Sequence, residues 1–162
     1  MCQYEAKDGL VGEWHQVHLG AFATGSPGLI MVEATGVVPE GRISIGCPSI
    51  EDDAHAAAFT PMIEFAHRFG VKMGIQLAHA GRKASTMKPW DDHLMASESE
   101  GGWQAVSSSA VAFEGYPVPR ELSVTEIAGL VQSFADAAAR AIKAGFDVIE
   151  IHAAHGYLLH QF

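Results

Sequence analysis

The chain has 162 residues, 48% hydrophobic and 18% charged, which suits one globular domain with a core of its own. Its formal charge of −9 with histidines neutral excludes a surface built to track nucleic-acid phosphates. No apolar run reaches the roughly 20 residues that cross a bilayer, so no membrane partner is expected. Cys2 and Cys47 are the only cysteines, too few for a disulfide framework, and the first residues lack a basic-then-apolar signal, so a cytoplasmic location is expected.

Residues 1–4 have strand character, and Gly9 and Gly12 punctuate a turn after them. Residues 13–23 read as a helix with Trp14, Val17 and Ala21 on its apolar face. Gly25-Ser26-Pro27-Gly28 breaks it, and residues 29–34 form the first convincing buried strand. A loop rich in Gly and Pro covers 37–50. Asp52 or Asp53 then caps a helix over 54–68, which Pro61 is expected to divide or kink. Gly70 closes that helix, and 71–77 is the second convincing strand.

Residues 78–122 form a long segment with Gly, Ser, Pro and two tryptophans. Loops of that length inside a compact domain usually serve as lids or binding loops. Ser123 with Glu126 makes a capping box for a helix over 124–144. Its expected apolar stripe is Ile127, Leu130, Val131, Phe134, Ala138, Ala141 and Ile142. Gly145 ends that helix as a C-cap glycine, and the short, β-branched run 146–151 fits a parallel strand covered on both faces.

The order β-α-β-α-β-α-β predicts an α/β protein with a parallel sheet and helical crossovers. Two architectures compete: a doubly wound sheet, and a (β/α)8 (TIM) barrel, which takes about 250 residues. A chain of this length would supply the barrel's first half, roughly four β/α units.

In parallel α/β folds, ligands bind at the carboxyl ends of the strands. There the sequence places Tyr4, Ala34, Gln76 and His152, with His155 and Tyr157 in the loop that follows. The histidines can be rim residues bonded to backbone, metal ligands together with Glu150, or donors to an oxygen that gains charge during reaction, with Tyr157 as acid. The metal reading implies a TIM-barrel hydrolase, but His-x-x-His is not the helical spacing of a zincin. No Gly-x-Gly-x-x-Gly follows a strand and no P-loop motif occurs, so a Rossmann domain is disfavoured.

Seven motifs carry a further reading: Met1-Cys2-Gln3-Tyr4, Val32-Glu33-Ala34-Thr35, Gly41-Arg42-Ile43, Gln76-Leu77-Ala78-His79-Ala80-Gly81-Arg82-Lys83, Lys88-Pro89-Trp90, Gly101-Gly102-Trp103 and His152-Ala153-Ala154-His155-Gly156-Tyr157-Leu158. Together they resemble the Old Yellow Enzyme family of flavin-dependent ene-reductases, in its thermophilic-like branch that includes xenobiotic reductases. The resemblance covers the whole chain. It implies an eight-stranded barrel that binds FMN non-covalently, takes hydride from NADPH or NADH, and reduces a small activated alkene. Cys2 would lie beside the reactive edge of the flavin and tune it. Met1 and Ala34 would line the ring, and Gln76 would bond its pyrimidine part. His152 and His155 would hold the substrate's activating oxygen, Tyr157 would deliver a proton, and Tyr4 and Lys83 would lie against the substrate. It also implies that residues 1–162 are the amino-terminal half of the flavin-binding barrel, inactive alone, and that the full-length protein is a homo-oligomer.

Overall fold

A computed structural model describes residues 1–162. Three helices and five strands carry the fold: α1 Glu13–Ala23, β1 Leu29–Gly36, α2 Asp53–Arg68, β2 Lys72–Ala78, β3 Val106–Ser107, β4 Arg120–Glu121, α3 Val124–Ala144 and β5 Val148–Ile151. β1, β2 and β5 form a parallel sheet in that order, and β3 pairs with β4 in a separate two-stranded sheet. No helix is long and apolar enough to cross a membrane.

The cap residues set the helix boundaries. Asp52 accepts a 2.9 Å hydrogen bond from the His55 N–H at the start of α2. Ser123 and Glu126 close the capping box of α3 reciprocally, with Glu126 accepting from the Ser123 N–H at 2.8 Å. Gly145 ends α3 in the left-handed region, at φ +110°, which a side chain would strain. Pro61 neither divides nor breaks α2. It lies on the water-facing side together with Ala57, whose carbonyl loses its helical donor where solvent can replace it.

The sheet's helix-facing side is the core. Ile30 and Val32 of β1 and Met73, Ile75 and Leu77 of β2 pack with Phe59 and Ile63 of α2 and with Ala137 and Ala141 of α3. At the sheet's lower end Asp147 ties β5 to β2. Its carboxylate accepts from the Met73 N–H at 3.0 Å, Lys72 Nζ at 2.8 Å and His67 at 2.8 Å. These hydrogen bonds, led by that from Lys72, hold its pKa far below the usual carboxylate range.

Five expectations change. The strand expected over 146–151 to be covered on both faces is instead an edge strand, β5, paired only with β2, and Val148, Glu150 and Ile151 are exposed. Residues 1–4 are not a strand: Tyr4 sits at φ +59°, which no ladder accommodates, and the segment is held instead by the Ala6 N–H to the Gly46 carbonyl at 2.9 Å. On α1 the buried residues are His15, Leu19 and Ala23, while Trp14, Val17 and Ala21 are exposed. On α3 the stripe is narrower than expected, because Val131 and Ile142 face outward, 67% and 65% exposed. The segment 78–122 is long but not structureless. It carries two single-turn helices, Gly81–Lys83 and Glu98–Glu100, besides β3 and β4. It docks back through Trp103, whose Nε1–H donates to the Glu40 carbonyl at 2.9 Å beneath the Arg42 guanidinium.

Candidate active site

The three parallel strands present one rung to the side of the sheet away from the helices. Ala34 pairs with Gln76, and Gln76 with Glu150. One rung lower, Met31 faces Gly74, where a Cβ would meet the Met31 thioether at under 3 Å. Between Val32 and Ala34 the register slips, leaving Glu33 as a bulge residue. Bulges re-aim side chains near sites, and here the slip places Glu33 and Ala34 at the same cavity.

That cavity, about 590 Å³, opens at the carboxyl ends of the strands. Its wall includes Met1, Cys2, Ala34, Gln76, His152, His155 and Tyr157. These residues come from the opening segment, two strands and the loop after β5, and the fold brings them together. A second cavity of about 490 Å³ adjoins it through Ile43 and Tyr157, and Tyr4 lines this one. Tyr4 meets Trp90 edge-on at 5.7 Å. Lys83 reaches the site from outside: its Nζ donates to the His155 carbonyl at 2.8 Å and lies 5.9 Å from the Tyr157 ring centroid.

The two histidines and the tyrosine form one aromatic cluster. Ring centroids lie 5.2 Å apart for His152–His155, 5.0 Å for His152–Tyr157 and 6.3 Å for His155–Tyr157. The Ala154 N–H donates to His152 Nδ1 at 3.3 Å, so the proton of the neutral ring sits on Nε2. Burial lowers the His152 pKa, and the charge of His155 lowers it further. His152 is therefore a neutral N–H donor at physiological pH. Burial pushes both Tyr157 and Tyr4 up to about 12, so each keeps its proton. The set can donate hydrogen bonds to an oxygen and supply a proton beside it.

Glu150 does not join the histidines. Its carboxylate accepts the Gln76 amide N–H. The three-donor group whose ligand atoms all lie within 4.8 Å of one another is Cys2, Glu33 and Cys47. The hydrolase built on His152, His155 and Glu150 thus loses its third ligand.

Sequence reasoning missed Glu33, Met31, Ile43 and Tyr116 as lining residues of these cavities, and Cys47 as the buried neighbour of Cys2 and Glu33. Glu33 had a signal, since a charge inside an apolar strand run calls for a partner. It has one: its carboxylate accepts from the Gln3 N–H at 3.0 Å. The Cys47 thiol faces Cys2 and lowers its pKa by hydrogen bonding, while Cys47 itself is pushed up by the same contact and by burial.

The family described as NADH:flavin oxidoreductase / NADH oxidase matches the sequence over residues 1–162. The chain belongs to that family. It is 48% identical over 167 residues to the NADH:flavin oxidoreductase FG08077 of Gibberella zeae, covering 100% of itself and 40% of that protein. It is 46% identical over 165 residues to the NADPH dehydrogenases of Geobacillus thermodenitrificans and Bacillus subtilis, covering 44% of each. Among solved structures, morphinone reductase superposes with a TM-score of 0.81 at 30% identity over 98% of this chain and 43% of the other. The Old Yellow Enzyme homologue of Zymomonas mobilis superposes at 0.78 with 32% identity, again over 98% and 43%. The chain thus spans about two fifths of the length of the curated relatives it matches. Its β-α order and parallel sheet are those of a half TIM barrel.

Proposed function

We propose that residues 1–162 form the amino-terminal half of an FMN-dependent ene-reductase barrel, drawing electrons from NADPH or NADH and reducing a small alkene activated by a carbonyl or nitro group. The observation that carries this reading is the convergence of Met1, Cys2, Ala34, Gln76, His152, His155 and Tyr157 on one cavity.

The chemistry of the donor set fits a flavin ring. The Gln76 amide offers both a donor and an acceptor at the cavity floor, as a pyrimidine-like edge requires. The methyl of Ala34 keeps the space above it open, and Met1 and Cys2 offer a soft, apolar wall. A bound, reduced flavin supplies hydride to the electron-poor carbon of the alkene. Everything else falls to the protein. His152 and His155 hold the activating oxygen, and their N–H groups bind it more strongly as negative charge grows there. Neutral His152 does so without first being protonated. Tyr157 delivers the proton to the carbon next to the activating group, and its raised pKa keeps that proton in place until it is needed. Tyr4 orients the substrate from the adjoining cavity, and Lys83 fixes the backbone that carries His155.

The test is His152→Ala and His155→Ala in an intact enzyme containing this chain. Each should slow alkene-driven flavin reoxidation about 100-fold or more with FMN still bound and its reduction by NADPH little changed. A full-length protein that purifies without flavin and stays indifferent to added FMN overturns the reading.

A further inference from the structure

The ene-reductase reading leaves Cys47 and Glu33 without a role, yet they meet Cys2 in one group. The sulfurs of Cys2 and Cys47 and a carboxylate oxygen of Glu33 all lie within 4.8 Å of one another. Three separate segments deliver them: the opening residues, the turn at 44–47 and the bulge of β1. Cys47 is fully buried and Glu33 is 9% exposed. A carboxylate there needs partners to offset its lost hydration, and its two oxygens are unequally served. One accepts the Gln3 N–H at 3.0 Å. The other has only His15 Nε2, 3.4 Å away, and that nitrogen is buried with no hydrogen-bond partner.

His15 is oriented from behind. The Gly12 N–H donates to its Nδ1 at 3.3 Å, so the neutral ring carries its proton on Nε2, the nitrogen nearest Glu33. An outer hydrogen-bonding group commonly holds a ligating carboxylate, and here a buried, unpartnered N–H stands 3.4 Å from the Glu33 carboxylate without bonding it. The cluster therefore has three inner donors and a free N–H behind one of them.

We propose that, while no flavin fills the cavity of about 590 Å³, Cys2, Cys47 and Glu33 form a binding site for one thiophilic divalent cation of the zinc class, with its fourth position open to that cavity. Two thiolates favour a soft or borderline ion, and one carboxylate is compatible with zinc. Calcium and magnesium, which want oxygen throughout, are disfavoured. Three protein ligands with a fourth position free is the pattern of zinc sites that admit water or a small molecule. Bonds of about 2.3 Å to sulfur place two tetrahedral ligands about 3.8 Å apart, a closure that the half-exposed opening segment around Cys2 supplies by a small shift. Binding sends one proton from each thiol to solvent. The proposal stands on the cluster itself and does not need the flavin reading.

Cobalt(II) is the probe, titrated anaerobically into the intact protein that contains this chain, reduced and freed of flavin. The expected result is one cobalt per chain, with a thiolate-to-metal charge-transfer band that an equivalent of zinc(II) removes. Cys2→Ser and Cys47→Ser should each diminish the band, and Glu33→Gln and His15→Ala should weaken affinity about 10–100-fold while keeping it. Circular dichroism checks the fold of every variant, and the partly exposed Cys2 position serves if the buried Cys47→Ser does not fold. Absence of a charge-transfer band, or a band undiminished in folded Cys2→Ser, overturns the proposal.

Discussion

Lys83 donates from Nζ to the backbone carbonyl of His155 at 2.8 Å, across 72 positions of sequence. The carbonyl belongs to a strained loop: His155 sits at φ +58° and Gly156 follows at φ +71°. A non-glycine residue in the left-handed region costs roughly 1 kcal/mol or more and persists where surroundings impose it. The ammonium is one such constraint, and the Phe113 ring, 4.0 Å from Nζ, holds it in place. Lys83→Met keeps most of the stem and removes the bond. In an intact enzyme we expect kcat for alkene reduction to fall about tenfold, in line with a charge-assisted hydrogen bond of about 1.5–3 kcal/mol, with FMN affinity unchanged. Loss of FMN affinity with alkene-driven reoxidation intact would show that Lys83 serves the cofactor rather than the loop.

Gly46 is the second sensitive position. A Cβ there would lie 2.5 Å from the Tyr4 carbonyl oxygen and 2.9 Å from its carbon, both backbone atoms that cannot rotate away. Gly46→Ala must push the opening segment off the turn at 44–47, stretching the Ala6 N–H to Gly46 carbonyl bond of 2.9 Å. Urea unfolding should show a loss of about 1–3 kcal/mol. Gly12→Ala, where a Cβ meets nothing within 4 Å, is the control. Equal stability of the two variants would mean that the opening segment is not held against this turn.

These two positions also mark what the sequence could and could not tell. The ends of α2 and α3 were legible because Asp52, Ser123 with Glu126 and Gly145 are local chemical signals that need no distant partner. The rung Ala34–Gln76–Glu150 follows from strand ends aligned in a parallel sheet, so the site's main wall was legible as well. The buried face of α1 was not. Trp14 and Val17 are the more apolar residues, but His15 is the one placed beneath the sheet, where Glu33 waits for it. Nothing within one helix can announce a partner supplied by a bulge 18 residues later. The opening segment failed for a similar reason: its conformation is set by Gly46 and Glu33, not by its own β propensity.

His79 predicts an acid-sensitive fold. It is 1% exposed, its Nδ1 accepts the Gly81 N–H at 3.0 Å, and its Nε2 has no partner. Burial lowers its pKa to about 4, against 6.5 for a free imidazole. The folded state thus resists protonation that the unfolded chain accepts. Its contribution is complete above pH 6.5 and drains away as pH falls toward 4, by on the order of 3 kcal/mol. Denaturation curves at pH 7, 6, 5 and 4.5 should show stability falling through this window, and His79→Gln should flatten the trend while lowering the plateau. A wild-type slope that survives unchanged in His79→Gln would assign the acid limb to other groups.

The tyrosines predict the opposite limb. The chain has three, and all are raised: Tyr4 and Tyr157 to about 12, and Tyr116 in the same direction, in each case chiefly by burial. For Tyr157 the neighbouring thiols and phenols add to the effect, since a phenolate would meet their negative charge. A raised phenol favours the folded state's protonated form, so stability is unaffected below the unfolded value of 10 and declines as pH rises from 10 toward 12. Tyrosinate absorbance of the folded protein should therefore develop only well above pH 10, and in one step with unfolding if the fold gives way first. The consequence for the proposed chemistry is that Tyr157 stays a proton donor across the whole neutral and mildly alkaline range. Tyr157→Phe should slow the protonation step while leaving the binding of a phenol ligand or substrate mimic within a fewfold of wild type. An alkaline loss of activity centred below pH 10 and absent in Tyr157→Phe would mean that the phenol titrates early and that the cavity is wetter than its lining implies.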